Sequence, residues 1–230
     1  MTRTYKDIQY MLTRSRRKTA SIYIERDGKV TALMPQGLSD AEVEKVMEGK
    51  RKWIYRHLAE WRDLNATRVH RQFVNGEGFL YLGRSYRLKL VREQSVPLAL
   101  KDGYFCFLSP KGLSDDAEAA FKSFYREKGA VRIPERVAYF QGKMAVEAKA
   151  VKILDLKHRW ASCSPGGTLN FHWKCMMAPA TVLDYVVVHE LAHLRYPNHT
   201  AAFWNEVDKV MPDYGERKEW LRVNGAGMEV

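Results

Sequence analysis

The chain has 230 residues, 46% of them hydrophobic, which leaves room for one large domain or two small ones and excludes a disordered polymer. Its apolar runs are short and interrupted, by Asp184 and His189 among others, so no segment is expected to span a membrane, and the first residues lack the apolar core of a signal peptide. The net charge of +11 is uneven: residues 1–92 hold 20 Lys and Arg against 10 Asp and Glu, whereas residues 93–230 hold 18 against 17. A basic N-terminal half points to an anionic partner such as a nucleotide, a nucleic acid or another polyanion; the competing reading is a solvated surface that only aids solubility. Cys106, Cys163 and Cys175 are odd in number and form no CxxC pair. They read as structural thiols of a reducing compartment, the cytoplasm.

Residues 5–35 read as a β-hairpin. Ile22 and Ile24 alternate with polar neighbours, Asp27-Gly28 is a turn signal, and Val30, Ala32 and Met34 alternate after it. The approach strand carries Arg14, Arg16, Arg17 and Lys18, which could hold phosphates or keep an exposed edge charged. Ser39 to Leu64 reads as a helix opened by a Ser39/Glu42 capping box. Basic residues and Trp53, Tyr55 and Trp61 interleave on it; core packing is the preferred reading over a single-strand nucleic-acid surface. Turn signals at Asn75-Gly76, Gly83-Arg84 and Asp102-Gly103 separate four strands, Phe79–Leu82, Tyr86–Val91, Pro97–Leu100 and Tyr104–Leu108. A soft boundary falls at Pro110-Lys111-Gly112 and divides a basic β-rich part, 1–110, from a core, 111–230. Ser114 then opens a helix with Phe121, Phe124 and Tyr125 on its apolar side, and Pro134 begins another with Val137, Phe140 and Met144. No internal repeat is legible.

Val151 to Trp173 reads as strands turned by Pro165-Gly166-Gly167. In the last of them Leu169, Phe171 and Trp173 face the core, while Thr168, Asn170 and His172 face the other way. By analogy with zinc peptidases, a peptide substrate would lie along this Thr168–Trp173 strand.

The stretch Val186 to Leu194 contains His189-Glu190-Leu191-Ala192-His193, an HExxH pattern. On a helix, residues four apart share one face, so His189 and His193 can offer two imidazoles to one metal ion. Glu190, about 100° around, reaches a water on that metal without being a ligand. The helix should end at Pro197. A turn there can return His199 as a third ligand, with Glu206 and Asp213 as acidic alternatives later in the chain. Phe203, Trp204, Val207 and Val210 would anchor the next helix and so fix His199. Three of the seven histidines fall between 189 and 199, which a purely structural buried helix does not explain.

Arg159-Trp160-x-Ser162-Cys163-Ser164, Leu169-Asn170, Pro179, Asp184 to Leu194, Asn198-His199-Thr200, Phe203-Trp204 and Pro212 together resemble the YgjP-like family of metal-dependent hydrolases, relatives of SprT-like and WLM-type zinc peptidases. One departure is Ala161, where the family pattern has glycine. The resemblance implies an α+β fold, with an N-terminal β-rich part bearing a long helix, then a minimal zincin-like core whose HExxH helix packs on a small sheet. It implies one Zn2+ per chain on His189, His193 and His199, and Glu190 as the base that activates a zinc-bound water. Arg159, His172, Tyr196 and Tyr214 are candidates for contacts to the substrate or the developing oxyanion. The function expected is a zinc metallopeptidase. Alternatives are a nucleoside triphosphate (UTP-type) pyrophosphohydrolase, for which no Walker-type loop is present, and a nucleic-acid-associated protein with a structural zinc.

Overall fold

The computed structural model describes residues 1–25, 28–65, 71–109, 116–156 and 159–230. The chain divides into two compact units, Met1–Arg68 and Val69–Val230.

The first unit is a four-stranded sheet with one long helix. Its strands β1 (Thr2–Tyr5), β2 (Ile8–Ser15), β3 (Ser21–Ile24) and β4 (Val30–Pro35) lie in the order β1-β2-β4-β3. The β3–β4 pair is the expected hairpin, antiparallel from Ser21↔Leu33 to Ile24↔Val30; Asp27 lies outside the described residues. The rest of the 5–35 stretch does something the hairpin reading misses. β2 runs parallel to β4, with Tyr10 opposite Val30, and β1 closes its other side. β2 is therefore an inner strand where β1 covers it, at Ile8–Met11; Arg14 pairs with Met34 of β4, and Arg16, Arg17 and Lys18 follow the strand's end. Strict alternation in β2 buries Ile8, Tyr10 and Leu12 beside Val30, Ala32 and Met34. Helix α1 (Asp40–Asn65) covers that face with Val43, Met47 and Ile54, all fully buried. The capping box forms as expected: the Ser39 N–H donates to Glu42 Oε2 at 2.8 Å and the Glu42 N–H to Ser39 Oγ at 3.3 Å.

The second unit opens with a sheet of the same design. Strands β5 (Gly78–Tyr81), β6 (Arg84–Val91), β7 (Leu98–Lys101) and β8 (Tyr104–Leu108) lie in the order β5-β6-β8-β7, and only the inner pair is parallel. The topology of the first sheet is thus repeated, again ahead of a long helix, although no sequence repeat announces it. Helix α2 (Ala117–Met144) is one continuous helix with Pro134 inside it, not two helices. An unbroken buried stripe of Phe121, Phe124, Tyr125, Ile133, Val137, Phe140 and Met144 outweighs the hydrogen bond that proline removes. Ser114, expected to open this region, lies outside the described residues. Phe79 and Phe105 pack on Phe121 at 4.3 and 5.0 Å between ring centres. The sheet and α2 therefore share one core with everything downstream. The division into units falls near residue 68, before this sheet; the boundary expected at Pro110-Lys111-Gly112 lies outside the described residues.

The third sheet comprises β9 (Ala150–Leu154), β10 (Ala161–Cys163) and β11 (Thr168–His172), in the order β10-β11-β9. β11 is the central strand, so its backbone is already paired on both sides and cannot accept a substrate strand. β10 is an edge. Trp173–Met177 form a short 3-10 helix, and α3 (Ala180–Ala192), α4 (Ala201–Val210) and α5 (Tyr214–Asn224) come after it.

Helix α3 is buried nearly all round, as Val182, Leu183, Val187, Val188, Leu191 and Ala192 show. Two contacts set its position. Arg136 on α2 makes a forked ion pair with Asp184, at 2.7 and 2.9 Å. The β5–β6 turn docks on its start: the Leu82 and Gly83 N–H groups donate to the Met176 and Met177 carbonyls at 2.8 and 3.1 Å. Gly83 has φ +79°, and a Cβ there would stand 2.8 Å from the Pro179 Cα, so only glycine fits.

Candidate metal centre

The second half of α3 carries His189 and, at its C-terminal cap, His193. The α-helix ends at Ala192, earlier than Pro197 alone would require. The Leu194 N–H turns back to the Leu191 carbonyl, and the Arg195 and Tyr196 N–H groups both turn to that of Ala192. This tight exit lets Pro197-Asn198 reverse the chain and bring His199 over the helix. Ligand-type nitrogens of His189, His193 and His199 lie within 4.8 Å of one another. Phe203, fully buried, forms the floor, with its ring 4.9, 4.7 and 4.7 Å from the three imidazoles. Trp204 stacks on His199 at 5.6 Å and Tyr214 stacks on Trp204 at 5.3 Å. Helix α4, with its Phe203-Trp204 pair, therefore holds His199 in place.

The donor set suits a divalent cation. His189 Nε2 and His199 Nε2 face each other at 3.0 Å; two imidazole nitrogens on one tetrahedral zinc are about 3.3 Å apart. His193 Nδ1 lies 3.0 Å from the Tyr196 carbonyl, and as the donor in that contact it leaves Nε2 as the free acceptor. Burial, and then the neighbouring His193, His199 and Lys218, pushes His189 down to about 3. Burial, His193 and Lys218 lower His199 as well. These two imidazoles are thus held neutral, which is the state a metal needs.

Glu190 points off the same helix toward the third sheet. It is 5% exposed, and its Oε2 is buried without a hydrogen-bond partner among the described residues. Burial pushes its carboxyl up to about 8, while the charge of Arg159 and the Cys163 backbone amide pull the other way. An orphaned carboxylate oxygen is costly unless the site has a use for it.

A family model for the YgjP-like metallopeptidase domain matches residues 18–224. The chain belongs to the YgjP-like metallopeptidase family. The family is one of metal-dependent peptidases, which makes the chain a hydrolase by class. Among solved structures, a metallopeptidase zymogen, abylysin of Pyrococcus abyssi, is 26% identical over 38% of this chain and 89% of that one, with a TM-score of 0.36. No curated protein matches the chain.

The other residues singled out in the sequence have varied surroundings. Arg159 is exposed, and its charge reaches Glu190. Tyr196 lends its backbone carbonyl to His193, and Tyr214 joins the Trp204 stack. His172 is committed elsewhere: its Nδ1 accepts the Lys174 N–H at 3.0 Å, and its Nε2 faces Asp155 at 3.4 Å. Glu206 is buried against Arg195 at 2.7 Å, and Asp213 pairs with Arg217 at 2.6 Å, so both acids are neutralised by cations and stand outside the histidine cluster. In the first unit, Arg14 binds Asp40 at 2.6 Å and the Leu38 carbonyl, and Arg17 binds Ser21 Oγ at 2.6 Å. Arg16 and Lys18 are exposed.

Two residues escape sequence reasoning. Tyr185 lies one turn before His189 on the same face, its ring edge-on at 5.8 Å, and burial raises its hydroxyl well above the ordinary value. The i, i+4 rule that pairs the histidines would have found it. Lys218 sits over the Trp204 ring at 4.3 Å, and its charge is felt by His189 and His199. Only the docking of α5 puts it there.

Proposed function

We propose that this chain hydrolyses peptide bonds, with His189, His193 and His199 holding one zinc ion and Glu190 acting as general base. The observation that carries the reading is the convergence of three imidazoles beside a buried carboxylate with an unpartnered oxygen. When bound there, zinc would supply Lewis-acid polarisation of water and of the scissile carbonyl. Glu190 accepts the proton of the attacking water and returns it to the leaving nitrogen. The apolar Phe203 floor keeps the imidazole rings from rotating away. Of the four candidate contacts, Arg159 is the one whose charge reaches Glu190, and Tyr214 belongs to the stack on His199. These two fit a role at the developing oxyanion better than His172, whose ring nitrogens face other partners.

A peptide fits along β10. The His172 N–H donates to the Trp160 carbonyl and the Ser164 N–H to that of Thr168, so residues 160, 162 and 164 turn their backbone groups inward to β11. Ala161 and Cys163 then face the free edge. The Cys163 amide acts on Glu190, which joins this edge to the base. Ala161, buried at this edge, is the residue whose outward backbone groups would meet an extended substrate. The nucleotide reading gains nothing from Arg14 and Arg17, both engaged within their own unit.

The test is turnover of zinc-loaded protein on quenched fluorescent peptides and on nucleoside triphosphates side by side. Peptide cleavage that a chelator abolishes and zinc restores is the expected result. Turnover of nucleotides alone would reject the peptidase reading.

A further inference from the structure

The first unit carries a groove that the proposed chemistry does not use. It lies between strand β3 and helix α1 and has a volume of about 410 Å3. Residues 20–23 form one wall; Val46, Lys50 and Trp53 form the other. The helix wall is one face, because 46, 50 and 53 are spaced i, i+4, i+7. Trp53 is 37% exposed, a large aromatic surface left open.

The strand wall has hydrogen-bonding capacity to spare. β3 is an edge with β4 as its sheet neighbour among the described residues. The Glu25 N–H donates to the Lys29 carbonyl, which sets the phase: residues 21, 23 and 25 turn their backbone groups to β4. Ile22 and Ile24 therefore turn theirs outward. Edge strands are commonly blunted by charge or proline. β3, Ser-Ile-Tyr-Ile, carries neither.

Charge decides what fits. Lys50 lines the groove, and among the described residues no carboxylate does. The Arg17 guanidinium reaches the strand wall through Ser21 Oγ at 2.6 Å, and its Nε is buried without a hydrogen-bond partner among the described residues. Lys18 beside it is exposed. An edge with free backbone groups, an apolar wall with an aromatic, and cations at both sides make a receptor for an extended, acidic chain.

We propose that the β3–α1 groove binds an extended acidic peptide segment, which adds to the sheet as a strand beside β3, with an apolar side chain against Trp53 and a carboxylate facing Lys50 and Arg17. In a peptidase such a site would capture substrate proteins on a unit other than the one that bears the histidines. The binding itself does not depend on the metal-centre reading.

The test is fluorescence polarisation on the full chain, with a labelled peptide of alternating valine and glutamate as the probe. The wild-type protein and Glu190→Gln should bind it equally, so failure of the catalytic reading leaves this one intact. A valine–lysine peptide should bind at least about tenfold more weakly. Trp53→Ala and Lys50→Glu, both at exposed positions, should each weaken the acidic peptide about tenfold with the melting temperature unchanged. Strand addition uses the N–H groups of alternate residues only, so N-methylation in one register should abolish binding while the other register is tolerated. Equal effects of the two registers would overturn strand addition, and no binding of the acidic peptide would overturn the site. Competition by oligothymidine with no dependence on peptide charge would make the groove a nucleic-acid surface and overturn the proposal as well.

Discussion

Glu190→Gln separates a carboxylate kept for chemistry from one kept for structure. The carboxyl rises from the ordinary value of 4.5 to about 8 in the folded, metal-free protein, chiefly through burial. Below pH 4.5 the group is protonated in both folded and unfolded chains and costs nothing. As pH rises the unfolded chain ionises first, so stability is lost progressively, and the loss is complete above about pH 8. At about 1.4 kcal/mol per pH unit the difference is of order 5 kcal/mol as an upper bound, reduced toward about 2 kcal/mol if water reaches the carboxylate. Glutamine cannot ionise and is close in shape. The variant stripped of metal should therefore match the wild type near pH 4.5 and exceed it by about 2–5 kcal/mol at pH 9.

The same substitution should lower the rate of peptide cleavage by about 10²–10⁴ in the zinc-loaded protein, because an amide cannot take the proton of the attacking water. Zinc content should not change, since Glu190 is not in the histidine cluster. The assays are urea denaturation of the stripped proteins at pH 4.5 and pH 9, metal analysis, and turnover on the peptide that the substrate screen yields. Wild-type turnover in a zinc-loaded variant would refute the base assignment. An unchanged pH profile of stability would refute the claim that the carboxylate is stranded by burial.

The geometry sets four further outcomes. His199→Ala should weaken zinc binding severely, whereas Glu206→Gln and Asp213→Asn, whose carboxylates pair with Arg195 and Arg217, should leave it nearly intact in a chelator competition. Phe203→Ala removes the floor under three imidazoles and should cost about 3–5 kcal/mol in denaturation, together with zinc affinity. Gly83→Ala should destabilise by more than about 1 kcal/mol, read as a lower melting temperature, because φ +79° and the Pro179 backbone both oppose a Cβ. Peptide substrates N-methylated at the residue that pairs with Ala161 should show a raised KM, while methylation one residue along should not.

Local patterns were the legible part of this chain. The capping box at Ser39, the alternation of Ile22 and Ile24 with Val30, Ala32 and Met34 in the β3–β4 hairpin, and the hairpin turns depend on near neighbours, and so does the i, i+4 pair on α3. What failed to show depends on distant partners. Pro134 reads as a helix start because its missing N–H is harmless there; in the structure a ten-residue buried stripe carries the helix through it. β11 reads as the substrate strand only by analogy with zinc peptidases; its two-sided pairing comes from β9 and β10, which no residue of β11 announces. Glu206 and Asp213 read as spare ligands until Arg195 and Arg217 are seen beside them. Lys218 enters the metal centre only because α5 docks there.

The two sheets show how one design serves two ends. Both have an antiparallel pair at each side of a parallel centre, and both begin with a tight turn whose first residue is left-handed, Lys6 at φ 53° and Leu82 at φ 48°. The next residue differs. In the first sheet it is Asp7, which accepts from the Tyr55 hydroxyl, while Lys6 pairs with Glu48; both partners belong to the sheet's own helix α1. That turn is closed within its unit. In the second sheet it is Gly83, and the absence of a side chain lets the turn backbone press on Pro179 and hydrogen-bond to the Met176 and Met177 carbonyls. The second sheet is thereby a buttress for the helix that bears His189, Glu190 and His193. If the buttress sets the register of that helix, Gly83→Ala should reduce zinc affinity as well as stability, although residue 83 touches none of the histidines. A variant that melts earlier yet holds zinc as tightly as the wild type would confine the turn to a packing role.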